Sequence, residues 1–174
     1  DSFSIIDKVL FMVPIRGEGM ERGEIVINGK PFNEILSDHA KWLEDKNNQR
    51  LRANLSKACL CEVDLRGANL NEAILCKADL SWADLRKVNL SGANLSEAKL
   101  TEVDLSEANL SGAHIKEANL SEVKNISEAK ELDTADFTDA IMDDEIREYL
   151  SKINPTVKPL DKPGEENKES DKSA

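Results

Sequence analysis

Residues 53–72 read ANLSKACLCEVDLRGANLNE, and the same five-residue pattern continues without a slip to residue 120. Every fifth residue is leucine or isoleucine, and the residue two places before it is alanine or valine. The large apolar positions are Leu55, Leu60, Leu65, Leu70, Leu75, Leu80, Leu85, Leu90, Leu95, Leu100, Leu105, Leu110, Ile115 and Leu120. Fourteen consecutive units share this pattern, so it decides the fold of the chain.

A period of five residues fits neither an α-helix nor a flat β-strand. On a helix, successive leucines would miss each other by about 140° and form no buried stripe. On a strand, an odd spacing sends successive leucines to opposite faces. A chain that turns a corner once per unit keeps all these side chains inside, and stacked coils then share one core. The pattern therefore predicts a solenoid.

Units such as Ala-Asn-Leu-Ser-Lys at residues 53–57 and Ala-Asp-Leu-Ser-Trp at residues 78–82 resemble the A(D/N)Lxx signature of pentapeptide-repeat proteins. The resemblance implies an all-β solenoid, a right-handed quadrilateral β-helix with four units per coil. Residues 20 apart would then stack, with Leu75 lying over Leu55. Open coil ends expose backbone groups and apolar side chains, so we expect helical caps at both ends.

The segments before the repeat predict a cap and a less regular extension. Residues 1–31 form an N-terminal extension in which Ile6–Val13 fits either a helix or a strand, and Asn28-Gly29 favours a tight turn. Residues 32–50 are assigned to an N-terminal capping helix, because apolar residues recur at helical spacing. That apolar stripe is Phe32, Ile35, Leu36, His39, Trp42 and Leu43.

The repeat region is assigned to residues 51–142, with a break near residues 124–131 where the rhythm fails. Residues 143–153 are predicted to form a C-terminal helix. Its candidate contacts, either with the last coil or with a second copy of the chain, are Ile146, Tyr149 and Leu150. Residues 154–174 are rich in Lys, Glu, Asp, Pro and Ser, which predicts a disordered tail.

The residue inventory argues against an enzyme, a cofactor and a metal site. His39 fits a packed core histidine, and His114 occupies a position usually filled by Asn or Asp. Cys59, Cys61 and Cys76 are odd in number and are read as free thiols of a reducing compartment. The alternative, a soft-metal site formed by the three thiols, lacks a four-ligand set. No glycine-rich phosphate loop is present.

Charge is the one asymmetric feature. The net charge is −11, which argues against binding to nucleic acid or an anionic membrane. Residues 53–96 contain five acidic and five basic side chains, whereas residues 97–142 contain eleven acidic and four basic ones. The candidate partner-binding residues are Trp82, Glu97, Glu102, Glu107, Glu117 and Glu122. Trp82 is read either as an exposed anchor or as an indole lying over lysine stems such as Lys87.

Two functions follow as hypotheses. The first is a non-enzymatic scaffold whose polar ladders bind a protein of unknown identity. The alternative, suggested by the quinolone-resistance members of the resembled family, is an acidic DNA mimic that binds gyrase, a topoisomerase or another DNA-binding protein. The chain is predicted to be cytoplasmic, as a monomer or a homodimer through the C-terminal helix. The sequence starts at Asp1 rather than at methionine, so removal of a secretory signal peptide is kept as an alternative.

Overall fold

Residues 53–124 form a coil that returns over itself every 20 residues. In the computed structural model, which describes residues 25–160, single-residue parallel bridges join each coil to the next. The bridges run in four ladders, so that four five-residue units make one coil. The ladders are Asn54–Ile74–Asn94–His114–Asp136, Cys59–Asp79–Lys99–Asn119–Ile141, Asp64–Asp84–Asp104–Lys124 and Asn69–Asn89–Asn109–Lys130.

The core is the column of leucines and alanines that the sequence pattern predicts. Leu55, Leu75 and Leu95 are each fully buried, and Ala73, Ala93 and Ala113 are as well. Regular strands are nevertheless scarce, because a side of the coil is only five residues long. The middle residue of each side makes the bridge, and the chain then turns. The predicted β-helix is thus built from bridges rather than from extended strands.

Each corner places one residue in the left-handed region of backbone space. At the first corner Ala58 N–H donates to the carbonyl oxygen of Leu55 at 3.1 Å, and Lys57 between them has φ 61°. A turn closed in this way with a positive φ at its third residue is of type II character. Only three of the equivalent corner residues are glycine (Gly67, Gly92 and Gly112), and the others are mainly Glu and Lys.

The coil widens after residue 124. Asp104 pairs with Lys124, 20 residues on, whereas Asn109 pairs with Lys130, a separation of 130 − 109 = 21. His114 then pairs with Asp136, a separation of 136 − 114 = 22. A short 3-10 helix, Ile126–Glu128, takes up the first extra residue, and the Ile126 side chain is buried there. The second extra residue lies between Lys130 and Asp136.

A hairpin and a helix precede the coil. Strands β1 (Val26–Ile27) and β2 (Lys30–Pro31) pair antiparallel around Asn28-Gly29, where both residues have positive φ. Helix α1 (Phe32–Glu44) follows, and a 3-10 turn (Gln49–Leu51) leads into the first coil. The expectation for Ile6–Val13 falls on residues 1–24, outside the described residues.

Helix α1 lies against the first coil through its apolar stripe. Phe32, Ile35 and Leu36 belong to the same buried cluster as the repeat leucines. His39 is fully buried, and its Nδ1 accepts a hydrogen bond from Ala53 N–H at 3.1 Å. Its ring stacks on Trp42 with centroids 5.4 Å apart. These contacts join the helix to the backbone edge of the coil.

Helix α2 (Asp144–Ser151) follows the last coil. Leu150 is fully buried, and Ile146 and Tyr149 are partly buried against the same core. Phe137 is buried beneath this end, with 1% of its surface exposed.

The prediction of disorder from residue 154 is wrong for residues 154–157. Asn154 is buried, and its Nδ2 donates to the carbonyl oxygens of Leu132 at 2.5 Å and Ala135 at 2.7 Å. Phe137 N–H donates to Thr156 Oγ1 at 2.9 Å, and Val157 is buried. Polar composition suggested a solvated tail, but one amide can satisfy two buried carbonyls. Residues 161–174 lie outside the described part of the chain.

Candidate interaction surface

The predicted anchor Trp82 lies at a corner and is exposed over 53% of its surface. Its backbone has φ 60°, as at the equivalent residues of the other corners. Glu62 N–H donates to the carbonyl of Ser81, and Trp82 N–H donates to the carbonyl of Thr101, so Glu62 and Glu102 lie on the coils either side. The indole is therefore set between two carboxylate-bearing corners.

No lysine or arginine charge lies over this indole within residues 25–160. The cations that lie over a ring there are Lys46 and Arg52, and both are on Trp42, 5.3 and 5.5 Å from its centroid. Trp82 is therefore half-exposed, with no cationic group over its ring among these residues.

The predicted acidic corners stack in columns, but several are neutralised by a lysine from a neighbouring coil. Lys77 Nζ lies 3.1 Å from Glu97 Oε2, and the pKa of Lys77 is raised by that hydrogen bond. Lys87 Nζ lies 3.4 Å from Glu107 Oε1, and Lys124 Nζ lies 3.5 Å from Glu102 Oε2. Sequence reasoning missed these pairs, although a spacing of 20 residues between Lys77 and Glu97 could have revealed them.

Glu117 and Glu122 complete the predicted acidic set. Neither forms an ion pair with a basic side chain of the described residues. Glu122 N–H donates to the Asp143 carboxylate at 2.7 Å, which adds another negative group at this end of the coil. The unpaired negative charge of the repeat thus concentrates near its C-terminal end.

A second charged side of the coil escaped the sequence reasoning. Asp64, Asp84 and Asp104 stack in one ladder, and the arginine two residues after each of the first two binds it. Arg66 Nη2 lies 2.5 Å from Asp64 Oδ2, and the pKa of Asp64 is lowered chiefly by that hydrogen bond. The alternation of signs makes this side close to neutral and explains how like charges can stack.

Asp79 is the most strongly perturbed carboxyl of the repeat. Its partial burial disfavours ionisation, but hydrogen bonds from Ser81 and from Lys99, 3.0 Å away, outweigh that effect and lower its pKa to about 2. A carboxylate held ionised in this way serves as a hydrogen-bond acceptor rather than as a proton carrier.

The remaining candidates for chemistry are dispersed over the described residues. His39 is buried, and His114 lies on an outward ladder. Cys59 and Cys61 are near each other, and Cys76 is on the next coil. No group of three or more His, Cys, Asp or Glu side chains that could hold a metal ion occurs within residues 25–160. Among the same residues, no helix is both long and apolar enough to cross a membrane.

The similarity to known protein families lies in the repeat region. The model of the family "Pentapeptide repeats" matches residues 53–92 and 89–124, with eight copies. A search of curated proteins gave no significant match. A pentapeptide repeat protein of Nostoc PCC 7120, alr5209, is 31% identical, with a TM-score of 0.49. The match covers 60% of this chain and 84% of that protein.

Two further solved structures are similar over part of the chain. A pentapeptide repeat protein from the Arabidopsis thaliana thylakoid lumen is 33% identical over 58% of this chain and 72% of its own, with a TM-score of 0.33. QnrB1, a plasmid-mediated fluoroquinolone resistance protein, is 18% identical over 57% of this chain and 69% of its own, with a TM-score of 0.20. The last likeness is too distant to bear on function.

Identity above 30% to proteins that this chain covers over most of their length agrees with the uninterrupted five-residue units and with the coil that they build. The protein therefore belongs to the pentapeptide repeat family, whose members form right-handed quadrilateral β-helices.

Proposed function

We propose that this protein is a non-enzymatic scaffold that binds a protein partner through the side of the coil carrying Trp82. The observation that supports this most is the 53% exposure of an indole at a corner position that other units fill mainly with Glu, Lys or Gly. Large aromatic residues supply much of the binding energy where they anchor an interface. Glu62 on the preceding coil forms no ion pair within residues 25–160, whereas Glu102 on the following coil is paired with Lys124. Glu62 therefore favours a partner that presents a basic side chain beside an apolar one.

The helices complete the proposed scaffold. We assign α1 as the N-terminal cap, because His39 satisfies the Ala53 N–H at the open edge of the first coil. We assign α2 and residues 154–157 as the C-terminal cap, because Leu150 and Asn154 close the last coil. Since Leu150 is buried within its own chain, this assignment favours a cap over a homodimer contact.

The alternative is an acidic mimic of DNA. Unpaired carboxylates at Glu117, Glu122 and Asp143 support it. Against it, three acidic corners are paired with lysine, and the side formed by the Asp64 ladder carries arginines. A continuous negative surface, which a partner that recognises DNA phosphates would require, is therefore interrupted.

An affinity capture with the wild-type chain, Trp82→Ala and the control Lys57→Ala tests the scaffold. Both substitutions remove an exposed corner side chain, but they lie on different corners of the coil. A partner captured by the wild type should bind Trp82→Ala at least about 30-fold more weakly in calorimetry, as expected for a hot-spot residue. Equal affinity of both variants would reject the assigned side.

A gyrase supercoiling assay tests the alternative. Inhibition by an equimolar amount of the chain, lost in Glu117→Gln/Glu122→Gln, would establish mimicry. Full supercoiling at a large excess of the chain would reject it and leave the scaffold unaffected.

A further inference from the structure

Two thiols meet on the first coil. Cys59 Sγ and Cys61 Sγ are 3.6 Å apart, and neither is in a disulfide. Cys59 is exposed and Cys61 is half-buried. Both side chains point outward, on either side of the buried Leu60.

The repeat itself explains why these two side chains touch. In the equivalent positions of other units, an Asp or Asn accepts a hydrogen bond from the hydroxyl of the residue two places later. Ser81 Oγ donates to Asp79 Oδ1 at 2.7 Å, and Ser106 Oγ donates to Asp104 Oδ1 at 2.6 Å. The same contact recurs at Asn119–Ser121 and Asp136–Thr138. The backbone of a corner therefore holds side chains i and i+2 together wherever they occur.

In this unit the hydrogen-bonded pair is replaced by two cysteines. We propose that Cys59 and Cys61 form a redox-active dithiol that reacts with small-molecule disulfides of the glutathione class to close a Cys59–Cys61 disulfide. The family's repeat supplies the geometry, and the two cysteines of this chain supply the chemistry. The site adjoins the proposed partner-binding side, since Cys61 directly precedes Glu62, but its chemistry requires no protein partner.

The order of attack follows from exposure. Burial, together with hydrogen bonds to Cys59 and Asp79, raises the pKa of the Cys61 thiol to about 12, so that it is protonated at neutral pH. The exposed Cys59 therefore meets the reagent first. Its thiolate attacks one sulfur of glutathione disulfide, the sulfur–sulfur bond of the reagent breaks, and one glutathione thiolate leaves.

The second step closes the ring. Cys61 loses its proton to water, its thiolate attacks Cys59 Sγ of the mixed disulfide, and the bond between Cys59 Sγ and the glutathione sulfur breaks. The second glutathione thiolate leaves, and the two glutathione thiolates take up two protons, equal to those that Cys59 and Cys61 had lost. In total the protein dithiol loses two electrons and two protons, and one glutathione disulfide becomes two molecules of glutathione. Because Cys61 must be deprotonated in this step, closure accelerates as the pH rises.

Mass spectrometry of the full chain tests the site, because trypsin cuts after Lys57 and Arg66 and leaves both cysteines in the peptide of residues 58–66. Cys76 falls in the separate peptide of residues 67–77. After equilibration with glutathione disulfide and glutathione, we expect peptide 58–66 to lose two hydrogen atoms and to regain them with dithiothreitol. A Cys76→Ser variant should give the same product.

The synthetic peptide of residues 58–66 is the control for preorganisation. In the folded chain the equilibrium constant for closure should exceed that of the peptide by at least about tenfold, because the corner already holds the thiols together. Equal constants would overturn the proposal. So would a product in which Cys59 carries a stable glutathionyl group, or one in which Cys76 is linked to either thiol.

Discussion

At each corner of the coil one residue has φ near 60°, and at most corners that residue carries a side chain. An L-residue in this conformation costs about 1 kcal/mol relative to glycine. The chain tolerates this cost at Glu97 and Glu117 because the corner N–H of each donates to a carbonyl of the next coil, as in Glu97 N–H to Lys116 O at 2.8 Å. The sequence predicts the buried leucines and alanines because burial favours apolar residue types. The sequence does not predict the positive φ of the corners, since Glu and Lys are not typical of that conformation.

Gly112→Ala measures this corner strain. A Cβ at Gly112 meets nothing within 4 Å, so the substitution changes backbone strain without a clash. We expect the free energy of unfolding to fall by about 1 kcal/mol in urea denaturation. Glu117→Ala is the control, since an L-residue already occupies the same conformation there, and it should change stability little. Equal effects of the two substitutions would show that φ at the corner is not costly.

The elements at the two ends of the coil differ in how far sequence predicts them. Helix α1 lies within the segment whose apolar stripe indicated a helix, because helical periodicity is a strong signal. Residues 154–157 carry no such period, and they contact the last coil through the Asn154 amide, the Thr156 hydroxyl and the buried Val157. Contacts made by individual side chains leave no periodic pattern in the sequence. The break near residue 126 was visible only because the repeat around it is so regular.

Asn154→Ala tests the C-terminal contact. It leaves the carbonyl oxygens of Leu132 and Ala135 without their donor, so we expect a loss of about 2 kcal/mol in the free energy of unfolding. Residues 154–160 should also become more sensitive to proteolysis. Lys158→Ala, at an exposed position three residues from Pro155, should leave both measurements unchanged. An unaffected Asn154→Ala variant would mean that the segment does not stabilise the last coil.

Over the whole molecule, acid should destabilise the fold in two stages. Burial lowers the pKa of His39 below its ordinary value of 6.5. In the folded chain, Ala53 N–H donates a hydrogen bond to His39 Nδ1. Protonation of Nδ1 would remove this bond and place two N–H groups against each other. Histidine in the unfolded chain therefore binds a proton more readily than His39 does in the folded chain. The contribution of neutral His39 to the free energy of unfolding is fully present above pH 6.5 and is lost as the pH falls below that value. The pKa of Asp79 is lowered to about 2 in the folded chain. Its contribution to the free energy of unfolding is therefore lost in a second stage that starts near pH 4.

Urea denaturation between pH 7.5 and pH 5 (a range chosen to bracket roughly the unperturbed histidine pKa) measures the first stage. We expect the wild-type free energy of unfolding to decrease across this range and that of His39→Gln to stay flat. The His114→Gln variant keeps the buried histidine and should retain the decrease. A flat wild-type profile would contradict a neutral, buried His39.

The bridges at a separation of 20 residues also govern how the length of this protein can change. Loss of one five-residue unit would rotate everything downstream by a quarter revolution, and side chains that now share a surface would be divided between adjoining ones. Loss of a full revolution would only shorten the rod. Evolution can therefore lengthen or shorten the coil by whole 20-residue turns without changing which side chains share a surface with Trp82.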